Sequence, residues 1–198
     1  ADKYNRVNIL SIALATWSGF TALTGLANNF LQIAIARMGV GIGDEVIVPA
    51  FTWVATANVV EYCGAKPILV DVDRVTNNID PLCLAKAITN KTKAIIVVHL
   101  FGLPADMDRI SEIANGIPIV EDAACAAGAS YKNKMAGTFG VAGAFSFHPR
   151  KSITTGEGGM CLTNSYELAE NVRLLRSHGI VRDKDLLINA DEGPWYYE

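Results

Sequence analysis

A chain of 198 residues, 51% of them apolar and 19% charged, is long enough for one domain with a sizeable core. Its formal net charge of −3 offers no basic surface to nucleic-acid phosphates, and no block of like charges marks an interaction tail. The cysteines Cys63, Cys83, Cys125 and Cys161 have no Cys-x-x-Cys spacing, which argues against a zinc site or a disulfide framework and for free, buried thiols in a reducing compartment.

In chain order, the first feature is a stretch without charge. Between Arg6 and Arg37, the residues from Val7 to Ala36 include no Asp, Glu, Lys or Arg. That is longer than the roughly 18 apolar residues of a transmembrane candidate. Small residues such as Ser11, Ala13, Ala15, Gly19 and Ala22 would let membrane helices approach closely. A buried helical hairpin, broken between Gly25 and Asn29, accounts for the composition equally well. A signal peptide does so less well, because no small-x-small cleavage site closes the run. Asp2-Lys3-Tyr4-Asn5-Arg6, the apolar run and Ala36-Arg37-Met38-Gly39-Val40-Gly41-Ile42-Gly43 together resemble the second and third membrane helices of a major facilitator superfamily transporter. The resemblance covers about a fifth of the chain and implies membrane contact through residues 7–36.

From Asp44 onward the pattern alternates between strand and helix. Glu45-Val46-Ile47-Val48-Pro49 is a short β-branched strand; residues 53–63 have helical spacing and stop at Gly64. Strands are predicted at 67–71, 93–99, 118–122, 142–147 and 159–163, and helices at 80–88, 106–114 and 165–177. Pro81 suits a first helical turn, and Ser165 caps a helix with Leu168, Val172 and Leu175 on one face. Continuous apolar strands separated by helices imply an α/β fold, a mainly parallel sheet covered on both faces. The chain thus divides into residues 1–43 and a domain over 44–198.

Ligands of such sheets sit beyond the carboxyl ends of the strands. Asp122 ends one strand, and a carboxylate there is costly to bury without a partner; alone, an exposed or helix-capping role suffices for it. Ser146 ends another strand, ahead of His148, Lys151 and the turn Thr154-Thr155-Gly156-Glu157-Gly158-Gly159. A lysine in a glycine-rich loop is ordinarily solvated. Close to a strand-end hydroxyl, it is also what a phosphate-bearing, amine-linked cofactor requires: a nucleophilic amine, and O–H and N–H donors for the phosphate. His99, His148 and His178 have no metal-ligand spacing and are read as structural or loop residues, so no metal is assigned.

Several strings, in order, are similar to the DegT/DnrJ-type sugar aminotransferases, a pyridoxal-phosphate (PLP) family of fold type I. They are residues 43–58 (Gly-Asp-Glu-Val through Thr-Ala-Asn), Val98-His99-Leu100-Phe101-Gly102 with Pro104-Ala105-Asp106-Met107-Asp108, and Glu121-Asp122-Ala123-Ala124. The loop from Ser146 through Lys151 to Gly159, and Arg176-Ser177-His178-Gly179, complete the set. The resemblance runs from about Gly39 to the C-terminus. It implies that Lys151 holds PLP and moves the substrate proton, that Asp122 pairs with the ring nitrogen, that Trp53 stacks on the ring and that Ser146 binds the phosphate. Cys125 stands near the cofactor where many members carry Gln or His. A related branch replaces the lysine by histidine and dehydrates sugars; Lys151 therefore favours amino transfer. The tail from Gly179 to Glu198 looks most like members acting on UDP-linked 4-keto amino sugars.

Two departures accompany the resemblance. The usual Ser-Gly-Thr phosphate turn falls in register on Ala27-Asn28-Asn29, and the Asn-containing segment and small C-terminal domain of relatives are expected to be absent. Residues 39–43 read naturally in both families, and a fusion or assembly join is expected at that shared string. The expected function is transfer of an amino group, with glutamate as donor, to a nucleotide-linked keto sugar in polysaccharide biosynthesis, in the cytoplasm and by a homodimer. The alternatives are a PLP-binding fragment without activity and a transporter fragment defined by residues 1–43.

Overall fold

The computed structural model describes residues 39–176 together with 180, 181, 183 and 187. Its centre is a six-stranded sheet. In chain order the elements are β1 (Glu45–Pro49), α1 (Ala55–Tyr62), β2 (Lys66–Val70), α2 (Pro81–Ala87), β3 (Thr92–Val98), a 3₁₀ turn (Leu100–Gly102), α3 (Met107–Ala114) and β4 (Ile119–Asp122). A small hairpin, β5 (Ser130–Tyr131) and β6 (Lys134–Met135), precedes β7 (Ala142–Ser146), β8 (Gly159–Leu162) and α4 (Tyr166–Leu175). The strand order is β2-β1-β3-β4-β7-β8, parallel throughout except for the antiparallel β8.

The alternation of side chains along each strand builds two cores. Val46, Val48, Ala94, Ile96, Val120 and Ala142 face one side, where Val59 and Val60 of α1 and Leu168 and Val172 of α4 cover them. Ile47, Ile95, Val97 and Ile119 face the other, against Leu84 of α2 and Met107 and Ile110 of α3. Strands buried on both faces are why their sequences read as unbroken apolar runs.

Local chemistry sets the helix ends. Asp80 accepts from the backbone N–H of Leu82 at 2.7 Å and Pro81 occupies the first turn, so α2 starts there. Ser165 accepts from the Leu168 N–H at 3.2 Å at the start of α4, and Asn115 closes α3 in the left-handed conformation at φ 44°.

Differences from the expected pattern are confined to edges. The β5–β6 hairpin and the 3₁₀ turn carry no periodicity long enough to signal them. Leu175 is exposed rather than packed, because α4 buries only Leu168 and Val172. Cys125 is exposed rather than buried, while Cys63, Cys83 and Cys161 are partly buried. No helix among the described residues is long and apolar enough to cross a membrane; residues 7–36 lie outside them.

Candidate active site

The carboxyl edge of β1, β3, β4 and β7 gathers the polar residues. Asp122 ends β4 with its side chain on the α1 side, by the same alternation that points Val120 there. Its Oδ2 accepts from the Thr56 hydroxyl at 2.7 Å, and its Oδ1 accepts from the Ala124 N–H at 3.1 Å. The strand-end carboxylate is thus partnered on both oxygens and remains only partly buried.

Three residues on, Cys125 Sγ lies 3.1 Å from Lys151 Nζ, which brings the loop after β7 to the turn after β4. That loop is shaped by its own contacts. Lys151 N–H donates to the His148 carbonyl at 2.9 Å, and Phe147 both receives the Thr155 N–H at 3.1 Å and donates to the Gly158 carbonyl at 2.8 Å. Gly158, at φ 155°, has no room for a Cβ, which would come within 2.5 Å of Thr155 Oγ1. Ser146, buried at the end of β7, accepts from the His148 N–H at 3.4 Å, which leaves its own O–H to donate.

Trp53 stands ahead of α1 with 67% of its surface exposed, and its carbonyl receives the Thr56 N–H at 3.0 Å. The connected set is therefore Trp53 and Thr56 at the start of α1, Asp122 and Cys125 after β4, and Ser146 and Lys151 after β7. Trp53, Asp122, Cys125, Ser146 and Lys151 all lie at this edge, and Thr56 joins them. A threonine in a helical run of alanines and valines carries no chemical signature; only the pairing of α1 with β4 reveals it.

Beneath the site, on the opposite sheet face, Glu121 is fully buried. Its carboxylate accepts from His99 Nε2 at 2.8 Å and from the N–H groups of Gly137, Phe139 and Gly140 at 2.6 Å each. His99 Nδ1 accepts from the Ala105 N–H at 3.1 Å, so the ring proton sits on Nε2 and is donated to Glu121. Burial pushes the Glu121 carboxyl upward, but the His99 hydrogen bond and the Gly140 and Gly137 N–H groups outweigh it and hold it below the usual carboxylate range. His99 is thus held in a buried pair with Glu121 on the sheet face opposite Asp122.

The residues fit PLP by the chemistry of their donor set. An amine, a carboxylate, a hydroxyl and an open indole face match the aldehyde, ring nitrogen, phosphate and ring plane of that one cofactor.

The family model for DegT/DnrJ/EryC1/StrS aminotransferases matches residues 10–191. The chain belongs to this family. GDP-perosamine synthase of Caulobacter vibrioides is 49% identical over 170 residues, covering 85% of this chain and 44% of that protein. The solved aminotransferase of Psychrobacter cryohalolentis superposes with a TM-score of 0.78 at 39% identity, covering 87% of this chain and 44% of that one. The Spr1654 protein of Streptococcus pneumoniae in its PLP form superposes with a TM-score of 0.75 at 33% identity, covering 87% and 47%. The chain spans less than half the length of these relatives. The fold is that of the PLP-dependent aminotransferases, and PLP is the cofactor of the family.

The same match corrects the reading of the N-terminal segment. It begins at residue 10 and takes in the string at 39–43, so neither the transporter resemblance nor a join there is supported. An apolar run spaced with small residues is a property of composition that unrelated families share. The phosphate-turn register at Ala27-Asn28-Asn29, and most of the tail after Arg176, lie outside the described residues.

Proposed function

We propose that the protein transfers an amino group from an amino acid, glutamate in the first instance, to a nucleotide-linked keto sugar. One observation carries this reading: the partnered Asp122 carboxylate and the Lys151 amine meet at one sheet edge, through Thr56 on one side and Cys125 on the other. Bound there, PLP supplies an electron sink for the carbon that loses its proton. Lys151 Nζ is the group that holds the cofactor and, once free of it, accepts and returns that proton. Asp122 keeps a proton on the ring nitrogen through the lone pairs that Thr56 and Ala124 leave open. Ser146 donates its O–H to the phosphate, and Trp53 shields one ring face from water. The family and the Caulobacter relative support a sugar acceptor; the glutamate donor and the 4-keto position rest on sequence resemblance alone.

The test is the visible spectrum of the purified protein with PLP, before and after glutamate, with Lys151→Ala as control. We expect an absorption band that needs Lys151 and that glutamate bleaches. A band indifferent to Lys151 would overturn the assignment of the lysine. A Lys151-dependent band unmoved by glutamate would overturn the proposed donor.

A further inference from the structure

Thr56 is 1% exposed, yet it is a hydroxyl in the first turn of a helix whose other inward residues, Ala55, Val59 and Val60, are apolar. A buried hydroxyl has to be partnered, and the choice of partner is informative. In the first turn of the helix, Thr56 has no carbonyl of its own helix three or four residues back to accept its hydrogen. It donates across the domain to Asp122 Oδ2 at 2.7 Å, 66 positions away in sequence. A carboxylate offers only lone pairs, so the single Thr56 hydrogen is spent there. Thr52 Oγ1 lies 3.2 Å from Thr56 Oγ1, one helical turn earlier, and it must then be the donor of that pair. The two hydroxyls form a relay with one direction: Thr52 O–H to Thr56 Oγ1, and Thr56 O–H to Asp122 Oδ2. With the Ala124 N–H on Oδ1 at 3.1 Å, the carboxylate cannot rotate without losing a bond on each oxygen.

We propose that Thr56, polarised by Thr52, is a positioning residue that fixes the plane and the charge of Asp122 toward the cofactor's ring nitrogen. The proposal rests on the reading of Asp122 given above. It adds that α1, an element with no group on the reacting atoms in that reading, controls how firmly the ring nitrogen is held. Donation by Thr56 orients Oδ2 of Asp122, and the hydroxyl behind it strengthens that donation. The α1 N-terminus lacks a side-chain cap, so neither threonine is engaged in capping it.

Thr56→Val replaces the hydroxyl by a methyl group of similar size, and Thr56→Ser restores the donor. The readouts are the PLP dissociation constant and the pH midpoint of the Lys151-dependent visible band, neither of which needs turnover. For Thr56→Val we expect PLP to bind about tenfold more weakly, the scale of one lost hydrogen bond to a charged group. The midpoint should move by about half a unit or more. Thr56→Ser should return both to within about threefold and a few tenths of a unit of the parent. A Thr56→Val protein that melts earlier but keeps the parent's affinity and midpoint would overturn the proposal and leave Thr56 as packing. If Thr56→Val does not fold, Thr52→Ala decides: the same changes at smaller size uphold the relay, and parent values overturn it. Asp122→Asn is measured alongside. If that variant keeps the parent's affinity and midpoint, it is the reading of Asp122 that fails, whatever the threonine variants do.

Discussion

Among single residues, the largest energetic stake is Glu121. Four donors converge on a carboxylate with no exposed surface, and they come from His99, just after β3, and from the loop at 137–140. Glu121→Ala strands three backbone N–H groups and the His99 ring proton; we expect it to cost about 3–5 kcal/mol, measured by urea unfolding. The pH dependence has a definite sign. A carboxyl held below its unfolded value contributes stability that is fully present above that unfolded value, about pH 4.3, and is lost as pH falls through the lower folded value. Acid titration of stability in the parent and in Glu121→Gln would show the difference narrowing only below about pH 4. The cysteines give a milder test. Burial pushes the Cys63 and Cys161 thiols up, whereas Cys125 is exposed beside Lys151. Iodoacetamide at neutral pH should label Cys125 first, with PLP protecting it, as peptide mass mapping would reveal.

At the scale of elements, the site depends on how closely the 137–140 loop can lie on the sheet. A Cβ on Gly140 would come 2.1 Å from the Ile119 carbonyl oxygen, and one on Gly143 would come 2.2 Å from the Gly137 carbonyl oxygen. Both contacts are with backbone, which cannot step aside as a side-chain end can. Gly140→Ala should therefore reduce soluble yield and melting temperature far more than an alanine at Gly41, where φ is not positive and a Cβ meets nothing within 4 Å. The comparison is made by thermal melts of the two variants. Most of these elements could be read in the sequence. The inner strands are continuous apolar runs because both faces are covered, and α2 and α4 announce themselves through Asp80-Pro81 and Ser165. The hairpin at 130–135 could not, since strands of two residues have no period to detect. Leu175 was misleading because an apolar residue at helical spacing near a helix end can still face solvent.

Considered whole, the molecule gathers its candidate site where ligands of parallel sheets usually sit, at the carboxyl edge between α1 and the loop after β7. The strand-end places of Asp122, Cys125, Ser146 and Lys151 could be read from the sequence, because each ends a strand or follows one, whereas the roles proposed for them come from the family resemblance. The place of Trp53 could be read for the same reason. Thr56 could not, because it reaches the candidate site only through a contact made 66 positions away. The apolar segment at 7–36 showed the opposite weakness: a strong compositional signal compatible with two unrelated families until the match from residue 10 decided between them. The proposed function requires Lys151 to be the lysine that holds the cofactor. The most direct measurement is to load the protein with PLP, reduce with borohydride, digest, and locate the added phosphopyridoxyl mass by peptide sequencing. The label is expected on Lys151 and absent in Lys151→Ala; a label on another lysine, or an unlabelled Lys151 in protein that retains the cofactor, would contradict the proposed role.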